Sequence, residues 1–587
     1  MSETVPIDEL ELNILIDGDD PLTDFLCVNI SRSAKFSTLE DAIRETYQQE
    51  RYRSLGHLIL FKFNKPGEEY ENAKFSRAMV LNLIHKVGSA SGWPAGSDFD
   101  DSLIHIVARV KEPVPRAIER EIVEPSDKAS EHVKKRKQER DDYLETLGEH
   151  TASQAAQHHL FRVLQRSRTA CIHNGRPATH AGPPIVLYHP VFGRFLKNLQ
   201  SADPLPDTTY SQTADYFPLS QELYDDEAER KHKIINGLGS LLDEVLVVSS
   251  TRGVQVDDST LDRGGASCII IEMENEIGGG NSDPSVQAAQ SYARWWKDKG
   301  LLKKCCCPSI LIAIAGPWMC ILGAVYLERP IVQPLTDFMW VGFNPAKPLD
   351  LDRVARAFHC ACLARDELEK FYENPPGRID DSQQYFPYIR SYTDSTGTQV
   401  HFEYKDILED VGFGGSIYRA QTCQNPPRSI VVKFVERYNS EAHKLLAEAG
   451  LAPGLLYDGT VYPNDQPGPD HTMIVMEYIE GVNLARYNEF PVPDCVRKNA
   501  DDALKLLHKH DFVFGDLRDQ NVIVVQDAAK VVTGAMLIDF DWCGKELEAR
   551  YPCSMNTQIK WPDGAGPGKY MEKYHDEVMW KRLRLNR

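Results

Sequence analysis

Over the first hundred positions, apolar and polar residues alternate in short runs. LNILI, FLCVNI and HLILFKF each put every second side chain on one face, as in a half-buried strand. Between the second and third, residues 38–50 carry the spacing of a helix. Residues 112–150 are dense in charge and predict a solvated helix or linker. The stretch 308–327, PSILIAIAGPWMCILGAVYL, has no charge and is about long enough to cross a bilayer. Ala315-Gly316-Pro317 divides it into two runs of strand length, which predicts two buried strands joined at that break. Residues 349–372 predict a helix, and 374–398, rich in Pro, Gly, Asp and Ser, predict a linker. The boundaries read as 1–115, a charged segment 116–150, 151–345, a helix and linker 346–398, and 399–587.

Composition narrows the function classes. A chain of 587 residues exceeds one core, so several domains are expected. A net charge of −20 argues against non-specific coating of nucleic acid. The first ten residues are acidic and lack an apolar signal region. Thirteen cysteines, an odd number without CxxC spacing, suit reduced thiols better than a disulfide or zinc framework. Reading 308–327 as strands leaves no membrane partner.

The densest chemistry lies after residue 400. Phosphoryl transfer needs a loop over the phosphates, a lysine on them, carboxylate and amide ligands for Mg²⁺, and a base for the acceptor. Gly412, Gly414 and Gly415 in DVGFGGSIYRA lie between two strand-like runs and would let backbone N–H groups approach phosphate oxygens. Lys433 ends an apolar run, SIVVKFV. Glu441 follows in a helix capped near Asn439 or Ser440 and is the candidate to hold Lys433 toward the phosphates. MIVMEYIEG, with Glu477, reads as a strand leaving the core beside the nucleotide base. In FVFGDLRDQNVIV and AMLIDFDW, Asp516 would orient or deprotonate the acceptor, and Arg518 would contact the γ-phosphate. Asn521 and Asp539 would hold Mg²⁺. This order resembles the protein-kinase-like superfamily, with ATP and Mg²⁺ implied. Phe514 and Gly515 stand where that family has His and Arg, Asp541 stands where DFG has Gly, and no APE motif follows. The resemblance is therefore to a truncated, atypical bilobal kinase whose acceptor, protein or small molecule, the sequence does not name. A pseudokinase that binds nucleotide without transfer remains an alternative.

The middle of the chain carries a second constellation. The apolar run 268–271 delivers Glu272 and Glu274 to one strand face, and a helix bearing Gln287 follows. This resembles the restriction-endonuclease-like PD-(D/E)xK fold, whose upstream metal acid would be Asp257, Asp258 or, first choice, Asp262. Asp262 and Glu272 would bind the metal. Glu274 occupies the lysine position, so a metal-dependent DNA nuclease and a degenerate fold that only binds both stay open, with Glu276 or water as a substitute for lysine.

The strand-turn-strand-helix order of 1–115, with Leu58, Leu60, Phe61 and Lys62 in HLILFKF, resembles the ubiquitin-like header of Crinkler-type effectors of fungi and oomycetes. The combined fold class is multidomain α+β: ubiquitin-like header, nuclease-like α/β domain and kinase-like domain. The resemblance implies secretion without an obvious signal peptide, action in a host cell, and host proteins among the partners. Lys134-Lys135-Arg136-Lys137 fits a nuclear import signal or a solvated helix face.

Overall fold

The computed structural model describes residues 9–16, 25–31, 33–35, 38–39, 42–43, 58–65, 104–110 and 125–586, the last apart from 149, 244–245, 250–252, 257–265, 280–281, 298–299, 348–349, 375–382, 409–416, 490 and 557. The chain is a mixed α/β molecule of two compact units, Met1–Ile122 and Val123–Arg587.

In the first unit, β1 (Glu9–Ile16), β2 (Phe25–Ser31), β3 (Leu58–Lys65) and β4 (Ile104–Val110) form one sheet in the order β2-β1-β4-β3. The β1/β2 pair is antiparallel and the β1/β4 pair parallel. Leu26, Val28 and Ile30 are buried while Cys27 and Asn29 between them are exposed. The helical residues Leu39 and Ile43, four apart, join the same core.

The second unit begins with α1 (Pro125–Thr146), α2 (Ala152–Ala156), α3 (His158–Arg166), α4 (Pro190–Leu199), α5 (Asp207–Gln221) and α6 (Glu227–Leu242). A sheet follows of β5 (Leu246–Ser249), β6 (Gly253–Val256), β7 (Ile269–Glu274), β8 (Ser309–Ala315), β9 (Trp318–Tyr326), β10 (Pro330–Pro334) and β11 (Met339–Trp340). Its order is β10-β9-β8-β7-β6-β5, with β11 on β9. The uncharged stretch 308–327 is the antiparallel hairpin β8/β9, turning at Gly316 with φ +55°. β7 and β8 run parallel, connected through α7 (Pro284–Trp296). Among the described residues no helix is long and apolar enough to cross a membrane. Several cysteines, among them Cys305, Cys306 and Cys307, are buried in the core.

The predicted helix over 349–372 is α8 (Asp350–Glu373). A second sheet, antiparallel throughout, has the order β12-β13-β14-β15-β17-β16. Its strands are β12 (Ser391–Thr393), β13 (Gln399–Ile407), β14 (Ile417–Thr422), β15 (Ser429–Val435), β16 (Leu455–Asp458) and β17 (Thr472–Glu477), with α9 (Ser440–Glu448) after β15. The sheet thus starts inside the stretch expected to be linker. One of its faces, from Phe402, Tyr404, Tyr418, Ile430, Val432 and Phe434, belongs to the same core as 125–373. The other carries Val431, Lys433, Val435, Ile474 and Met476. The rest comprises β18 (Gly481–Asn483), α10 (Asp494–Lys509), β19 (Phe512–Val513), β20 (Val522–Gln526), β21 (Val532–Leu537), β22 (Gly544–Lys545) and α11 (Lys573–Trp580), around a second core.

Candidate functional site

Lys433 sits on β15 among apolar neighbours and is 6% exposed. Its Nζ lies 2.7 Å from Asp539 Oδ1 and 2.7 Å from Asp541 Oδ1, more than a hundred residues downstream. Burial alone would lower the lysine pKa, but the two carboxylates hold it above the usual range. Burial would raise Asp539, yet Lys433 keeps its carboxyl below normal. Burial and the charge of Asp539 push Asp541 upward against the pull of Lys433.

The 539–541 turn follows from its middle residue. Asp539 has φ +75°, and Phe540 is buried, stacked on His443 at 4.7 Å and edge-on to Phe514 at 5.7 Å. With Phe540 anchored in the core, its two flanking aspartates emerge together on the side of Lys433.

Asp516 is 5% exposed and forms a two-pronged ion pair with Arg518. Asn521 Nδ2 donates to Asp516 Oδ2 at 3.0 Å and to its carbonyl at 2.9 Å. Burial raises the Asp516 pKa, opposed by Arg518. The loop that holds Asp516 is clamped from the far end of the chain. Asp576 on α11, 1% exposed, accepts from Phe514 N at 2.7 Å and Gly515 N at 2.9 Å, and lies 3.1 Å from His508 Nε2. Gly515 has φ +81°, and a Cβ there would stand 2.2 Å from Met571 Cε, so a side chain at this position strains the backbone and displaces Met571. Trp561 stands beside Arg518, 6.0 Å from its guanidinium, and packs with Trp542.

Lys433, Asp516, Arg518, Asn521 and Asp539 therefore converge, in two contact groups. Two expected participants do not join them. Glu441 is 75% exposed at its side chain and lies 3.7 Å from Lys545, so the Glu441–Lys433 pairing is corrected. Asn439 caps α9 and ties its start to Cys543, which turns Ala442, His443 and Leu446 inward and Glu441 out. Glu477 pairs in register with Ile430, on the sheet face opposite Lys433, and accepts from Gly454 N at 3.3 Å. It makes no side-chain contribution to a nucleotide pocket at Lys433. Gly412, Gly414 and Gly415 lie outside the described residues. Asp541 and Asp576 were not identified as site residues from the sequence. A carboxylate in the DFG glycine position was the only visible signal for Asp541, and Asp576 gave none.

Among the described residues, no group of three or more His, Cys, Asp and Glu is arranged to hold a metal by itself. A nucleotide-bound Mg²⁺ needs fewer protein ligands, since phosphate and water supply the rest. The oxygen donors of Asn521 and Asp539 suit it, and the Lys433 ammonium seated between two carboxylates marks that place as one for positive charge.

In the middle region, Glu272 is buried and accepts from Gln287 Nε2 at 2.8 Å and from Ser291 Oγ. Burial raises its pKa. Glu274 is buried and accepts from Ser282 Oγ. The structure brings Glu272, Glu274 and Gln287 into one group, with the Ser282 hydroxyl between Glu274 and Gln287. Glu276 is half-exposed and pairs with the buried Arg230. Asp257, Asp258 and Asp262 lie outside the described residues. In the basic run, Arg136 is held against Glu328 and the Tyr385 carbonyl within α1, while Lys134 and Lys135 are exposed.

No curated protein matches the chain significantly. Residues 470–545, from β17 through β22 and including Asp516, Asn521, Asp539 and Asp541, are similar to the family described as lipopolysaccharide core biosynthesis protein (WaaY).

Proposed function

We propose that the chain is an ATP- and Mg²⁺-dependent kinase-like phosphotransferase that acts on a hydroxyl acceptor. One observation carries this: Lys433 on β15 meets Asp539 beyond β21, while Asp516 and Asn521 interlock on the loop between. Lysine, metal carboxylate, metal amide and base are the parts phosphoryl transfer requires. The similarity of 470–545 to a kinase-like family agrees with it. Asp516 orients the acceptor hydroxyl and takes its proton as the oxygen bonds to the γ-phosphorus and ADP departs. Lys433 and Arg518 balance phosphate charge, and Asn521 and Asp539 would hold a Mg²⁺ that would supply charge neutralisation. The absent arginine at Gly515 favours an enzyme that needs no phosphorylated activation loop, and with it a non-protein acceptor. Labelled ATP with Mg²⁺ tests this. Transfer or slow hydrolysis should be lost in Asp539→Ala, and turnover that survives this change would sink the proposal.

The middle domain is in this view a degenerate nuclease-like fold. A buried Glu272 has its carboxylate engaged by Gln287 and Ser291, and Glu274 stands where the pattern has the lysine that activates water. Plasmid incubated with Mg²⁺ or Mn²⁺ should stay intact; cleavage abolished by Glu272→Ala would restore the nuclease. The sheet order β2-β1-β4-β3, with its parallel central pair, supports a ubiquitin-like header. Membership of the Crinkler-type effectors, with action in a host cell and its nucleus, is proposed on that header and its companion modules.

A further inference from the structure

Protein kinases fix their phosphate-binding lysine with a glutamate on the helix after it. Here that glutamate, Glu441, faces away, held outward by the Asn439 cap and close to Lys545. Lys433 is nevertheless buried, and a buried ammonium needs a partner. It has two, each at 2.7 Å, and they have different duties. Asp539 is the carboxylate that phosphoryl transfer commits to the metal. With Asp539 committed to a divalent cation, Asp541 would be the carboxylate left to Lys433.

We propose that Asp541 is the positioning residue for Lys433, taking from a position two residues past the metal aspartate the role the helix glutamate has in protein kinases. This rests on the phosphotransferase function proposed above. The geometry supports it from three sides. Phe540, locked between His443 and Phe514, fixes the segment. The Asp541 backbone N–H points to Asp539 Oδ1, at 3.4 Å. Asn439 ties the start of α9 to the Phe540 and Cys543 carbonyls, so the helix braces the 540–543 segment rather than the lysine. A glycine at 541 would leave Lys433 with the metal's own carboxylate as its sole partner of the two.

Three full-length variants test this: Asp541→Asn, Asp541→Glu and Glu441→Gln. The first readout is the Nζ resonance of Lys433 in lysine-labelled protein without nucleotide or metal, assigned by its loss in Lys433→Arg. It should move in Asp541→Asn and stay in Glu441→Gln. The second is ATP turnover. Asp541→Asn should lower kcat about thirty-fold or more with KM for ATP changed by no more than about three-fold. Asp541→Glu should recover part of kcat. A resonance and kcat that respond to Glu441→Gln and not to Asp541→Asn would overturn the proposal. So would an unmoved resonance in Asp541→Asn together with a raised Mg²⁺ requirement, which would make Asp541 a metal ligand. If the wild type turns over no ATP, the phosphotransferase function fails, while the resonance still decides whether Asp541 or Glu441 holds the lysine.

Discussion

Asp576 and Gly515 show how much of the candidate site depends on single residues far from its motifs. Each Asp576 oxygen accepts a backbone N–H of the loop preceding Asp516. Hydrogen bonds to a charged, buried acceptor contribute roughly 1.5–3 kcal/mol. Asp576→Asn puts an NH₂ against one of those donors, so both a bond and its partner are lost. The variant should unfold at lower denaturant, by about that energy, and lose at least ten-fold in turnover while still binding nucleotide through Lys433. Unchanged turnover at unchanged stability would show that the clamp is dispensable. Gly515→Ala should cost on the order of 1–3 kcal/mol, since it combines a left-handed backbone with displacement of Met571. Asp516, Asn521 and Asp539 were legible because their spacing lies within a short segment whose turn and strands enforce it. Asp576 was not, because nothing local ties an aspartate on a terminal helix to a loop some sixty residues earlier.

At the scale of elements, α9 carries the clearest departure from expectation and a pH-dependent consequence. The sequence shows a helix and a cap but not its rotation against the sheet, and that rotation decides whether Glu441 or His443 faces inward. The cap's bond to Cys543 settles it for His443. The ring is fully buried and stacked on Phe540, with Nε2 against the Pro453 carbonyl at 2.8 Å and Nδ1 against the Tyr438 hydroxyl at 2.7 Å. A neutral ring fits both partners, donating from Nε2 and accepting at Nδ1. Burial lowers its pKa to about 4 from 6.5. Between those values the unfolded chain binds a proton that the folded one refuses, so stability falls as pH drops through that window. By pH 5 the loss from this residue is about 2 kcal/mol. His443→Leu keeps an apolar filler under Phe540 and should flatten the acid limb of the stability profile between pH 7 and 5. An equally steep limb would assign the acid sensitivity to other groups, of which His189, its pKa lowered by burial to about 3, is the first candidate.

The molecule as a whole joins what the sequence divides. The alternation in β13, β14 and β15 was readable as strands, but it could not say what covers each face. The covering is the 125–373 region. Tyr188 and Tyr418 bring their hydroxyls to 3.4 Å, and Tyr388 N donates to the Leu187 carbonyl. At Gly193 on α4 a Cβ would lie 1.8 Å from the Pro467 carbonyl, so the backbones of the two regions are in direct contact. Burial of an aromatic or branched side chain is worth roughly 1.5–3 kcal/mol. A half-dozen such residues on this face amount to about 10 kcal/mol, as large as the whole stability of many domains. Cutting within 375–382 therefore should not separate the parts. With a protease site inserted there, the cleaved halves should co-elute at micromolar concentration and melt in one transition. Gly193→Leu should weaken both behaviours without touching Lys433, Asp516 or Asp539. Two independent transitions and clean separation after cleavage would mean that the shared face contributes little. The expected outcome also sets the terms for any isolated fragment starting near residue 398. Stripped of its covering, that sheet exposes Phe402, Tyr404, Tyr418 and Phe434, and its aggregation would report on the lost neighbour rather than on the site.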